Sequence, residues 1–175
     1  ILKKNHVYSE EMEHDACGVG LIASTEGKKS RKVVEYGIEA LKAVWHRGAV
    51  DADGKTGDGA GIHVEIPKDF FIEKIEVTGH SYDNSEICVG MIFLPRNDYA
   101  AQESCKTIVE SELTKNDFSI FGWRQVPVNP KVLGEKAFQT MPEIIQVLFK
   151  SNNPELLNKD LERKIYETRR IIENK

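Results

Sequence analysis

The sequence predicts an α+β fold, and three observations lead there. Apolar runs at 87–94 (ICVGMIFL), 118–128 (FSIFGWRQVPV) and 144–150 (IIQVLFK) have strand length and are rich in β-branched and aromatic residues. Between and after them, apolar residues recur at helical spacing. The order of the two kinds of element is mixed, without regular β-α-β alternation, which favours a layered α+β arrangement over a doubly wound one.

The chain opens on a charged, weakly patterned stretch, 1–16 (ILKKNHVYSEEMEHDA), which reads as a tail, a pro-segment or part of a fold begun upstream. Cys17 then heads a short apolar run, predicted as a buried strand over about 17–24. Gly18 and Gly20 leave room beside its sulfur for a substrate or another backbone. A nucleophile on a strand end has this setting. So does an inert buried thiol, the commoner case for a cysteine in an apolar segment.

A turn at 26–29 leads to Ser30, a candidate N-cap for a helix through about 46. Val34, Ile38, Leu41 and Trp45 give that helix one apolar face, expected to pack on a sheet. Residues 46–61 (HRGAVDADGKTGDGAG) hold five glycines in sixteen residues and almost no bulky apolar side chain, so they form a loop long enough to be functional. Strict alternation predicts a strand at about 62–66, ended by Pro67. A short helix with Phe70, Phe71 and Ile75 follows, then a polar connection over 78–85.

After the buried strand at 87–94, Asn97 or Asp98 can cap a helix whose face is Ala101, Cys105, Ile108, Val109 and Leu113. Cys88 and Cys105 are expected in the core. The run 118–128 is a strand with a glycine kink and a proline exit, 131–142 holds a short turn or helix, and 144–150 is again a strand. Asn153-Pro154 is expected to open the last helix, in which Leu157, Leu161, Ile165 and Ile172 make the apolar stripe under a charged, solvated face.

The bulk numbers bound the function. With 175 residues, 40% hydrophobic and 30% charged, the chain has the make-up of one globular domain. A net charge of -4 without Lys/Arg clustering argues against nucleic acid or an anionic membrane as partner. Three widely spaced cysteines indicate neither a disulfide framework nor a metal cluster and suit a reducing, cytoplasmic setting. There is no apolar run of membrane-spanning length, and 1–16 is too polar for a secretory leader.

Two motifs in the glycine-rich loop fail on spacing. Gly54-Lys55-Thr56 suggests a phosphate loop, but Ala49 stands where the first glycine belongs and a strand rather than a helix is expected to follow. Asp51-Ala52-Asp53 opens like a calcium loop, yet Lys55 and Ile62 occupy ligand positions. The five histidines, at 6, 14, 46, 63 and 80, show no metal-ligand spacing.

Cys17-Gly18-Val19-Gly20, a helix, then His46-Arg47-Gly48 and Asp58-Gly59-Ala60-Gly61, in that order, resemble the opening of a type 2 glutamine amidotransferase domain of the N-terminal-nucleophile hydrolase class. The loop at 52–61 (ADGKTGDGAG) and the block at 121–147 (FGWRQVPVNPKVLGEKAFQTMPEIIQV) narrow the resemblance to the glutamate synthase family. It runs from about Glu13 to nearly the last residue.

The resemblance implies an Ntn-hydrolase-like α/β/β/α layered sandwich, incomplete here, with 1–16 a pro-segment and 17–175 the N-terminal part of the domain. It implies Cys17 as the catalytic nucleophile, Arg47 beside it favouring the thiolate, and L-glutamine as substrate. The rest of a glutamate synthase chain and its small subunit would be the protein partners. No cofactor is expected in this segment, FMN and iron-sulfur clusters being expected only in the synthase part.

In the family, the arginine that holds the substrate carboxylate, the Asn-Gly oxyanion pair and the acidic group that holds the substrate amine come later in the domain. The isolated segment is therefore expected to turn over glutamine poorly or not at all. The alternative is a non-catalytic remnant or interaction module of the same fold.

Overall fold

The computed structural model describes residues 18–45 and 48–175. Its contacts divide the chain into two compact units, Ile1–Val64 and Glu65–Lys175.

In the first unit the helix α1 spans Arg31–Ala43 and ends at the Val44 C-cap, short of the expected 46. Ser30 caps it as predicted, its hydroxyl oxygen accepting from the Lys32 N–H at 3.2 Å. Of the expected apolar face Val34, Ile38 and Leu41 are half-buried, with Val33 beside them, whereas Trp45 lies beyond the helix end and is 76% exposed. No residue of α1 is fully buried, so the expected packing on a sheet is not seen among the described residues.

Residues 18–24 have no regular secondary structure where a strand was expected, and Val19 and Leu21 are 95% and 89% exposed. The alternating segment 62–66 is likewise not a strand. The physical reason is the same in both. A strand exists only as half of a hydrogen-bonded ladder, and among the described residues neither segment has a partner.

The second unit is built on one antiparallel sheet. Its strands are β1 (Cys88–Leu94), β2 (Phe118–Gln125) and β3 (Glu143–Ser151), in the order β1-β3-β2. Strand β3 is central, which explains its continuous apolar run: five successive residues, Ile145 to Phe149, are buried. Register places Cys88 opposite Phe149 and Leu94 opposite Glu143. On the other side Phe118 pairs with Ser151 and Gln125 with Ile145.

The ladder between β2 and β3 shifts between Ile120 and Gly122. That is a β-bulge at the glycine kink expected from sequence. The extra residue changes the alternation, so Phe118 and Ile120 pack on one face, Phe121 on the other, and Trp123 on the first again.

The helices cover the two faces unequally. The helix α3 (Tyr99–Lys115) is capped by the Asp98 carboxylate, which accepts from the Ala101 N–H. Its Val109 and Leu113 pack with Cys88, Phe118, Val147, Phe149 and, from α5 (Asn158–Glu173), Leu161. On the opposite face Phe71 and Ile75 of α2 (Lys68–Val77) cluster with Ile87, Phe121 and Leu148. Beyond α2 that face is open, with Met91 48% and Phe93 63% exposed. A 3-10 turn (Pro130–Val132) and α4 (Glu135–Thr140) lie in the connection from β2 to β3.

Cys88 is buried and Cys105 half-buried. The last helix starts at Asn158 instead of at Asn153-Pro154. The Asn153 side chain does accept from the Glu155 N–H (3.0 Å), but this closes a single turn, and Asn158 has φ 51°, outside the right-handed helical region. The second unit is thus a three-stranded sheet with helices against it, consistent with an incomplete α+β fold, and among the described residues no helix is long and apolar enough to cross a membrane.

Candidate active site

The residues expected from sequence to carry chemistry, Cys17 and Arg47, lie outside the described residues, as do His46 and the stretch 1–16. Their described neighbours are Gly18 to Ser24 on one side and the loop from Gly48 onward on the other. Around Gly18 and Gly20 a Cβ atom would meet nothing within 4 Å, so this backbone is open to approach.

The glycine-rich loop is an ordered hairpin. Val50 and Gly57 form an antiparallel bridge, and the Asp51 N–H donates to Thr56 O at 2.7 Å. Gly54 takes φ 68° at the tip, where its N–H donates to Asp51 O at 2.9 Å. Gly57 is required by close approach, since a Cβ there would sit 3.0 Å from Ala49 O.

Two carboxylates hold the hairpin. Asp53 accepts from the Lys55 and Thr56 N–H groups (2.9 and 2.7 Å) and from the Thr56 hydroxyl (2.5 Å). Asp58 accepts from the Ala49 N–H at 2.8 Å while its own N–H returns to Ala49 O at 3.3 Å. The stem is thereby closed directly after residue 47, and the loop's side-chain oxygens are turned inward on its own backbone.

This geometry bears on the two failed motifs. The N–H groups of Lys55 and Thr56, which a phosphate cradle would present, already face the Asp53 carboxylate, whose charge opposes a phosphate. Among the described residues no group of three His, Cys, Asp or Glu side chains is placed to hold a metal.

Of the histidines, His80 has its Nδ1 3.1 Å from the Thr78 hydroxyl and its ring edge-on to Phe121, which is a packing role. The Cys88 thiol is pushed up to about 12 by burial, aided by Glu86 and Glu162, and is kept from being a thiolate. Cys88 thus lies in the core as expected, Cys105 is only half-buried, and Cys17 lies outside the described residues.

Sequence reasoning singled out nothing at the C-terminal end of β1. There Leu94, Arg96 and Asn97 line two open clefts of about 450 and 440 Å³. The signal available was the Pro95-Arg96-Asn97 turn itself. The other walls come from α3, α4, β2 and β3, which sequence spacing does not bring together.

Comparison with known proteins adds the family. The model for class-II glutamine amidotransferases matches residues 17–175, starting on Cys17. The chain is 54% identical over 168 residues to the glutamate synthase [NADPH] large chain of Azospirillum brasilense, covering 96% of this chain and 11% of that one. It is 39% identical over 175 residues to the chloroplastic ferredoxin-dependent glutamate synthase 2 of Arabidopsis thaliana, covering 98% and 11%. A ferredoxin-dependent glutamate synthase of Pyropia yezoensis is also 39% identical over 175 residues, with 99% and 11% covered. The chain spans about a tenth of the length of these curated relatives.

Proposed function

Because this chain belongs to the class-II glutamine amidotransferase family, we propose that it is the opening part of the glutaminase domain of a glutamate synthase, with Cys17 as nucleophile. The observation that carries this is that the family match begins on Cys17, the residue that heads an open, glycine-flanked segment.

In this reading scission between Ala16 and Cys17 frees an α-amino group on the nucleophilic residue. A thiol of ordinary pKa, about 8.5, is mostly protonated at neutral pH, while an α-amine titrating at about 7.7 to 8.0 can take its proton. The thiolate attacks the side-chain amide carbon of glutamine. The C–N bond breaks, and ammonia leaves with the proton returned by the α-ammonium. Water then cleaves the γ-glutamyl thioester to glutamate and regenerates the thiol. Before scission the Cys17 nitrogen is an amide and has no such basicity.

Arg47 acts as a positioning cation in this scheme, favouring the thiolate by charge. The closed hairpin stem beginning at Ala49 supports that role by anchoring the backbone that follows Arg47. The amide hydrolysis uses only thiol, amine and water. Flavin, iron-sulfur groups and the electron donors named for the relatives belong, in this reading, to the remainder of a whole synthase, which would receive the ammonia. A cytoplasmic, reducing compartment suits a catalytic thiol.

The test is intact-mass analysis of the purified chain before and after a diazoketone analogue of glutamine. The expected result is loss of residues 1–16 and one adduct on Cys17, absent from Cys17→Ala. A persistent Ile1 terminus together with an inert Cys17, even when a full amidotransferase domain is expressed, overturns the proposal in favour of a non-catalytic module.

A further inference from the structure

The connection from α2 to β1 holds an asparagine whose surroundings differ from those of the other asparagines among the described residues. Asn84 is exposed and takes φ 65°, the left-handed region that a residue with a Cβ visits at a cost. Its neighbours are fixed: Asp83 pairs with Lys150 on β3, and the Ser85 carbonyl accepts from the Tyr82 hydroxyl at 2.9 Å. The Ser85 N–H donates to a side chain, not to a backbone carbonyl. Its acceptor, at 3.3 Å, is Asp83 Oδ1, which also accepts from the Ser85 hydroxyl at 2.6 Å. Among the described residues the Asn84 side chain itself has no hydrogen-bond partner.

An asparagine loses its amide when the backbone nitrogen of the next residue attacks the side-chain carbonyl carbon, so that nitrogen has to carry a proton, be uncrowded and be free of the backbone ladder. Elsewhere one of these conditions fails. Asn129 and Asn153 precede prolines, which have no N–H. After Asn116 and Asn174 the next N–H groups donate to Thr114 O and Ile172 O, both at 3.1 Å, and both asparagine side chains donate to helix carbonyls. Asn152 accepts from the Ser119 hydroxyl, and the N–H that follows it is taken by Ser151 Oγ at 3.1 Å. Asn97 and Asn158 are followed by larger charged residues, Asp98 and Lys159. Asn84 alone combines an unheld side chain with a small following residue.

We propose that Asn84 is a site of self-modification, at which the Ser85 backbone nitrogen displaces the side-chain amide. The bond from that nitrogen to Asn84 Cγ forms as its proton moves along the hydrogen bond to Asp83 Oδ1. The bond from Cγ to the amide nitrogen breaks, and ammonia leaves with the proton. Water then opens the five-membered imide at either carbonyl, giving aspartate or isoaspartate. In isoaspartate the main chain runs through the former side chain. This adds one methylene to the connection and removes the left-handed requirement at this position. Either product puts a new carboxylate one residue from the Asp83–Lys150 pair, where a like charge weakens it. The site lies in the second unit and is independent of the chemistry proposed for Cys17.

The experiment is incubation of the 175-residue chain alone, at mildly alkaline pH and body temperature, followed by peptide mapping. An isoaspartyl methyltransferase serves as the reagent for the rearranged product. Asn84 should be the first asparagine converted, and its peptide should become the main methyl acceptor. Asn84→Gln, an exposed change that would need a six-membered ring, should lose that product. Ser85→Val should slow conversion severalfold, because a branched side chain crowds the attacking nitrogen. In urea, where the hydrogen bonds holding Asn116 and Asn152 are gone, conversion at those two should rise towards that of Asn84. An intact Asn84 after Asn97 or Asn116 has reacted, or the same selectivity in the folded chain as in urea, overturns the proposal. An unprocessed or unreactive Cys17 leaves it standing.

Discussion

A Cβ atom placed on Gly122 would lie 2.8 Å from Thr78 Cγ2 and 3.1 Å from Thr78 Cβ, so the β2 bulge and the C-terminus of α2 meet at a spot with space for hydrogen alone. The Thr78 hydroxyl joins the two elements, lying 2.6 Å from Ile75 O and 2.8 Å from Phe121 O with one proton to serve both carbonyls. Gly122 also has φ 147°, a conformation that L side chains rarely adopt.

Gly122→Ala therefore meets a steric and a conformational cost together, roughly 2 to 4 kcal/mol of stability. Urea denaturation followed by Trp123 fluorescence should show the midpoint fall. Thr78→Ser in that background removes the obstructing methyl and should recover part of the loss. A wild-type midpoint in Gly122→Ala would mean that the two elements are not in contact.

Acid stability should depend on Asp83. Hydrogen bonds from Lys150 and then Ser85 hold its carboxyl at about 2, below the ordinary 3.8. A depressed carboxyl contributes stability above its unfolded pKa and loses it as pH falls through the folded one. The loss should occupy the interval from about 3.8 down to about 2. Glu112, lowered by hydrogen bonds from Lys115 and then Lys175, acts in the same direction below 4.5. Urea midpoints measured between pH 6 and pH 2 should fall less steeply for Asp83→Asn and for Glu112→Gln than for the parent chain.

Thiol reactivity should rank the described cysteines. At a common pH the Cys88 thiolate fraction is about a thousandfold below that of an ordinary thiol, the difference between about 12 and 9.0, and its sulfur is buried as well. Iodoacetamide with peptide mapping should modify half-buried Cys105 first and Cys88 only after denaturant is added. Equal labelling rates would show the core cluster around Cys88 to be open.

The hairpin after Gly48 should loosen when its inner carboxylate is removed. Asp53→Ala takes away acceptors for the Lys55 and Thr56 N–H groups, each hydrogen bond being worth about 1 kcal/mol net. Exchange at those two amides should quicken by about tenfold, while amides of β3 exchange as before. An unchanged rate would place the hairpin's rigidity in its Val50–Gly57 stem.

Much of the second unit was readable from local pattern. The run 144–150 became the central strand because a stretch apolar on both faces has to be covered on both. Asp98 and Ser30 capped their helices because a carboxylate or hydroxyl at that position satisfies an otherwise orphaned N–H. The kink at Gly122 and the burial of Cys88 followed from the same local chemistry.

The segments 18–24 and 62–66 carry equally good strand patterns and are not strands. Alternation says which face a strand would bury, but only a neighbouring chain at hydrogen-bonding distance supplies the ladder. Likewise Asn153-Pro154 held the right cap chemistry, and the backbone at Asn158 limited it to one turn. The family was legible in residues 17–61 and 121–147, because a motif is a property of order along the chain. The cleft at the end of β1 was not, since Arg96, Gln102 and Glu143 come from separate elements. Short-range chemistry is set by the chain itself, whereas which distant groups share one space is decided by packing, through contacts that no spacing along the sequence encodes.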